Sequence, residues 1–301
     1  MSAFWRLIGA LDRAMDRTGA IVHRYRRPLR DGLILVGLIR LVWYFWVQDI
    51  QPWTFPFVDA RAYWGIDLAH PYAQGIPGDH SAYLYSPAFA QVMAPFSLLP
   101  FEAFAILWTA LLVGVLAWLV KPWPWALLML LLPAVFEICV GNVHLLIAAV
   151  VVLSFRAPAL WAFPFFTKIT PAVGIGWPFF RREWRAFLIA AGTIAVILAV
   201  SFALNPTAWF EWVAFLTADT GGAELLVPRL VAAVTMVAFG AFTGRRWLVA
   251  VAVWVAMPVI YINSWVVLFA IIRLRERVPG VVPGTTSPSP LVPVTGRTTP
   301  A

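Results

Sequence analysis

Apolar blocks separated by short polar stretches, many of them arginine-bearing, set the pattern of this chain. Residues 32–47 read as a first spanning helix, residues 86–99 are too short to cross upright, and residues 101–120 are long enough. Residues 123–138 and 143–155 read as an outward and a returning crossing around a turn at Gly141 and Asn142. Both fall short of the roughly 17–25 residues that a spanning helix needs, so their ends extend into the turns or the bilayer thins locally. Residues 186–204 and 230–242 supply two further crossings.

Two blocks break this rhythm. Pro158, Pro164, Pro171 and Pro178 interrupt residues 157–180, and Arg156 on one side with Arg181, Arg182 and Arg185 on the other bracket them. Basic residues mark cytoplasmic stretches, so the segment is expected to be a re-entrant pair of half-helices carrying Lys168 near its middle. Residues 247–272 are either one tilted crossing or two short pieces broken around Pro258 and Asn263, and Arg273, Arg275 and Arg277 favour the broken version. The predicted fold is an all-α polytopic membrane protein with seven to nine crossings, re-entrant or broken segments and one long outer loop.

Three regions follow. Residues 1–31 form a basic segment in which seven arginines face three aspartates, expected to lie along the cytoplasmic interface. Residues 32–278 form the multi-spanning domain, and residues 279–301, rich in Pro, Thr and Ser, read as a disordered tail. With the amino terminus cytoplasmic, the loop 48–85 falls outside, where Asp49, Asp59, Asp67 and Asp79 oppose Arg61 alone.

Composition strengthens the membrane assignment. Hydrophobic residues make up 62% of the 301 and charged ones 12%, against about 25% charged in a soluble domain, and the mean hydropathy is +0.83. Soluble enzymes, secreted binding modules and disordered scaffolds are thereby excluded. The formal charge of +8 resembles a nucleic-acid signal, but the basic residues sit between apolar blocks and at the ends, where they set topology and meet anionic lipid. No nucleic-acid partner is expected. The single cysteine, Cys139, excludes an internal disulfide and reads as a small buried hydrophobe.

Nucleotide-binding and zinc-peptidase motifs are missing, so the informative residues are polar groups in costly places. Asp59, Arg61 and Tyr63 follow the first crossing, and His70, Tyr72, Asp79, His80, Tyr83 and Tyr85 precede the next apolar stretch. A carboxylate there can take a proton from an acceptor hydroxyl, while Arg or Lys compensates a phosphate. Within the apolar blocks lie Arg40, Lys168 and the trio Glu137, Asn142 and His144. The trio either faces an outer cavity or forms a hydrogen-bonded structural turn, Lys168 either meets a donor phosphate or sets topology, and Asp59 either acts as a base or pairs with Arg61.

At these residues the chain resembles a known family. "FVDARAYW", "YLYSPAFAQVMAPFSLLP", "GNVHLLIAAVVVLS" and "KITPAVGIGWPFFRREWR" are similar in order and spacing to the polyprenol-phosphate-dependent mannosyltransferases of glycosyltransferase family 87. The resemblance spans roughly residues 30–205. It implies a GT-C-like fold in the cell membrane and transfer of a hexose, mannose above all, on the extracytoplasmic face. The donor would be a polyprenyl-phosphate-linked sugar and the acceptor a lipid or cell-envelope glycan, with membrane lipids as further partners and no cofactor or metal. Asp59 matches the family's expected catalytic or acceptor-binding carboxylate. Arg61, His80, Tyr83, Tyr85, Glu137, Asn142, His144 and Lys168 become the expected substrate-binding set, with Asn142 standing where glutamine is more usual. The competing expectations are a transporter or flippase of a lipid-linked substrate, whose broken helices look alike, and a noncatalytic membrane partner of a cell-envelope enzyme.

Overall fold

The computed structural model describes residues 57–72, 83–121, 131–217 and 225–275, and within them every regular element is helical. The basic segment 1–31, the first apolar block 32–47, Arg40, Asp79, His80 and the tail 279–301 lie outside the described residues. In chain order the helices are α1 (Val58–Trp64), α2 (Pro87–Met93), α3 (Phe101–Val120), α4 (Leu132–Val140), α5 (His144–Leu153) and α6 (Ala162–Lys168). They continue with α7 (Gly176–Phe180), α8 (Trp184–Leu204), α9 (Pro206–Thr217), α10 (Leu226–Thr243), α11 (Trp247–Val255) and α12 (Ala270–Arg275). Tight 3₁₀ turns at Ala94–Leu98, Pro158–Trp161, Thr170–Ile175 and Ile262–Phe269 join several of them.

Among the described residues three helices are long and apolar enough to cross a membrane: α3, α8 and α10, of 20, 21 and 18 residues. A fourth span exists if α4 and α5, bent by 108° at their junction, count as one. This corrects the seven to nine crossings expected from the apolar blocks. Several of the described apolar blocks are not continuously helical. The four prolines divide residues 157–180 into two 3₁₀ turns and two helices of seven and five residues, since proline lacks the N–H that would continue a helix. Residues 247–272 likewise split into the nine-residue α11, about 13.5 Å long at 1.5 Å per residue, a break, and the 3₁₀ stretch containing Asn263.

The long helices differ in what they bury. α8 leaves Leu188, Val196, Val200 and Leu204 exposed, as a helix facing lipid tails would. α3 buries Phe104, Trp108, Leu112, Leu116 and Leu119 along one stripe, spaced three or four residues apart as one helical face requires. Against that stripe packs α5, while α4 packs on the Ile262–Phe269 turn and α10 on α11. Their shared core, with Tyr63, Leu145, Ile147 and Met257 fully buried, carries α1 at one end. Cys139, expected to be buried, is half-buried at the end of α4, where its carbonyl accepts the Phe57 N–H at 2.6 Å.

Candidate functional site

The α4–α5 turn builds the site. α4 ends at Gly141, which is left-handed (φ 74°) and donates its N–H to the Glu137 carbonyl at 3.0 Å. This αL termination suits glycine because it lacks Cβ. The same carbonyl accepts the Asn142 N–H at 3.3 Å. The Glu137 side chain folds over the other half of the turn: Oε1 accepts the Leu145 N–H at 3.1 Å, and Oε2 lies 3.0 Å from His144 Nδ1 and accepts from Asn263 Nδ2 at 2.9 Å. One fully buried glutamate thus clamps the end of α4, the start of α5 and the Ile262–Phe269 segment. An uncompensated buried carboxylate is costly, and three donors answer it here.

Asp59 reaches this turn from α1. Ala60 packs on Gly141 so closely that a Cβ at Gly141 would lie 2.7 Å from that of Ala60, and Trp108 braces the turn by donating to the Gly141 carbonyl at 2.7 Å. The contact sets Asp59 Oδ2 2.6 Å from Asn142 Nδ2, which donates to it. Burial pushes the Asp59 carboxyl above its ordinary pKa and nearby Glu137 adds to the rise, whereas Lys168, the Asn142 hydrogen bond and His144 draw it back. Lys168, half-buried at the end of α6, holds its ammonium 5.2 Å from the centre of the Tyr85 ring. The Tyr85 hydroxyl meets that of Tyr63 at 2.7 Å.

Strained backbone surrounds these groups. Phe57, two residues before Asp59, has φ 67°, and Ile169, directly after Lys168, has φ 55° and ψ −70°, near the rare γ-turn conformation. Such conformations cost on the order of 1–3 kcal/mol each and concentrate at functional sites. Arg182, in the turn before α8, is the other non-glycine residue of positive φ among those described.

The expected site residues separate into two groups. Asp59, Glu137, Asn142, His144, Lys168 and Tyr85 come together. Arg61 does not join them: it is exposed and its guanidinium lies over the Phe101 ring, 4.0 Å from the centroid. Tyr83 packs its ring on Tyr85, centroids 5.6 Å apart, but turns its hydroxyl to the Ser86 carbonyl at 3.2 Å, and exposed His70 lies 3.8 Å from Glu211. His80 lies outside the described residues. Asn263 is an addition, and Tyr63, named beside Asp59 in the sequence, joins through the Tyr85 hydroxyl. The signal for Asn263 was an amide inside an apolar block, which marks a satisfied buried group as well as a helix break. Among the described residues no group of three or more His, Cys, Asp or Glu side chains could hold a metal ion.

An all-α protein with membrane-length apolar helices, enclosing a carboxylate, an amide and an ammonium at one helix turn, is of the membrane-associated class. The model of glycosyltransferase family 87 matches residues 83–283, more than half of the chain, so the chain belongs to that family and its role is that of a glycosyltransferase. Neither a curated protein nor a solved structure matches it. The matched range contains Tyr85, Glu137, Asn142, His144, Lys168 and Asn263, and Asp59 precedes it.

Proposed function

We propose that this protein transfers a hexose, by resemblance mannose, from a polyprenyl-phosphate donor to a lipid or cell-envelope glycan acceptor on the extracytoplasmic face of the cell membrane, with Asp59 as general base. One observation carries the reading: the half-buried Asp59 carboxylate is held by Asn142 while Lys168 provides the cation whose field reaches it. The acceptor hydroxyl gives its proton to Asp59 and its oxygen bonds to the anomeric carbon. The bond from that carbon to the phosphate oxygen breaks, its electron pair leaves with the lipid phosphate, and Lys168 compensates the charge. Glu137 and His144, both fully buried, hold the turn that carries Asn142.

Purified protein given radiolabelled polyprenyl-phosphate mannose and a lipid or glycan acceptor should move label to the acceptor. Asp59→Asn keeps the size and removes the base, so transfer should fall by about 10² to 10⁴ while donor binding persists. Lys168→Met should impair donor use more than folding. Normal turnover by a folded Asp59→Asn protein, or passage of donor across the membrane without transfer, would overturn the reading. The sidedness is tested by His70→Cys and Arg182→Cys in a Cys139→Ser background. An impermeant reagent in intact cells should label position 70 and spare 182, and equal protection of both would refute it.

A further inference from the structure

We propose that Asn142 is a positioning residue for the transfer reaction, fixing the Asp59 carboxylate through Oδ2 so that Oδ1 is presented to the acceptor hydroxyl. The inference rests on the reading of Asp59 as the base and adds how that base is aimed. The amide orientation follows from chemistry. Asn142 Oδ1 accepts the Val143 N–H at 2.7 Å, so its amino group must face Asp59 Oδ2. Exchanging the amide atoms would set two acceptors against each other at 2.6 Å and two donors at 2.7 Å.

Both ends of this hydrogen bond are mounted on one clamp. Asn142 is anchored by its N–H on the Glu137 carbonyl, and Glu137 is itself fixed by Leu145, His144 and Asn263. Asp59 is anchored through Phe57 on the Cys139 carbonyl and through Ala60 on Gly141. The aspartate therefore does not search rotamers before each turnover, the economy that positioned groups bring to catalysis. The groups facing Asp59 are Lys168 from α6, Glu137 from α4, His144 from α5, and the Tyr85 and Tyr63 phenols. On its own helix Arg61 lies over Phe101, and Tyr63 is engaged with Tyr85. Among the described residues Asn142 donates a hydrogen bond to the carboxylate, and that bond favours the ionised form.

The test is the pH profile of kcat for wild type, Asn142→Asp, Asn142→Ser and Asp59→Asn with radiolabelled polyprenyl-phosphate mannose, each folded by thermal unfolding in detergent. Asn142→Asp makes two carboxylates share one proton, so the acidic limb should move up by more than about one pH unit. Asn142→Ser shortens the side chain so that its hydroxyl falls short of Asp59, without adding charge. It should lower kcat by about 10- to 100-fold, the loss of one hydrogen bond to a charged group, with a smaller upward limb shift and donor KM retained. A role confined to folding would lower the yield of active protein and leave the limb in place, and that result in either folded variant would overturn the inference. Loss of turnover in Asp59→Asn beside a wild-type limb in Asn142→Asp would refute the positioning role alone. Full turnover in Asp59→Asn would refute the base assignment and the inference together.

Discussion

Replacing Gly141 by alanine tests how finely the site depends on the contact between α1 and the α4–α5 turn. The new Cβ would sit 2.7 Å from the Ala60 Cβ, whereas apolar carbons rest at about 3.5–4.0 Å, so α1 must retreat by about 1 Å. Ala60 is fully buried and adjoins Asp59, and retreat draws the carboxylate away from Asn142. A misplacement of about 1 Å can cost about 10²-fold in rate. Alanine at φ 74° also carries a backbone cost of roughly 1–2 kcal/mol, which by itself would lower stability without moving Asp59. Gly244→Ala separates the two effects, because Gly244 has φ 72° but nothing within 4 Å of its Cβ position. Both variants should unfold at lower temperature, and Gly141→Ala alone should lose about 10²-fold in sugar transfer. Equal transfer rates in the two would refute the claim that this contact places the base.

Three further outcomes are expected. A Cβ at Gly174 would lie 1.9 Å from the Trp161 ring, so Gly174→Ala should destabilise by about 1–3 kcal/mol through overpacking, and adding Trp161→Phe should recover part of it; thermal unfolding in detergent measures both, and an unchanged midpoint would count against the packing. Asn263→Leu withdraws one donor from buried Glu137 and should cost about 1.5–3 kcal/mol, the value of a hydrogen bond to a charged group, so unaltered stability would deny the clamp. Because burial raises the Asp59 pKa in the folded state above its unfolded value, the folded protein holds its proton longer, and stability must decline as pH rises from the unfolded value through the raised folded one. Asp59→Asn should abolish that part of the decline in an unfolding series against pH, and an identical pH dependence in the variant would contradict the burial argument.

The sequence by itself determined the membrane character, because mean hydropathy follows from composition and apolar block length from residue order. It also determined the breaking of residues 157–180, since proline removes backbone donors wherever it stands. The chemical types at the site were legible for the same reason: Asp59, Glu137, Asn142, His144 and Lys168 are polar groups in or beside apolar blocks. The number of spans was not legible. An apolar run of suitable length crosses only if it remains one helix, and whether α4 and α5, bent by 108° at Gly141, count as one span depends on that bend angle, which the sequence does not carry.

Partner choice was decided by the tertiary structure as well. Asp59 and Arg61 look like a pair in a loop, but residues 58–64 are helical, and side chains two apart on a helix do not face each other. Asp59 turns instead to Asn142, 83 residues along the chain, and Glu137 to Asn263, 126 residues along. Such distances in sequence carry no periodic signal. They are closed by the absence of a side chain at Gly141, which lets α1 approach, and by the cost of leaving a buried carboxylate without donors.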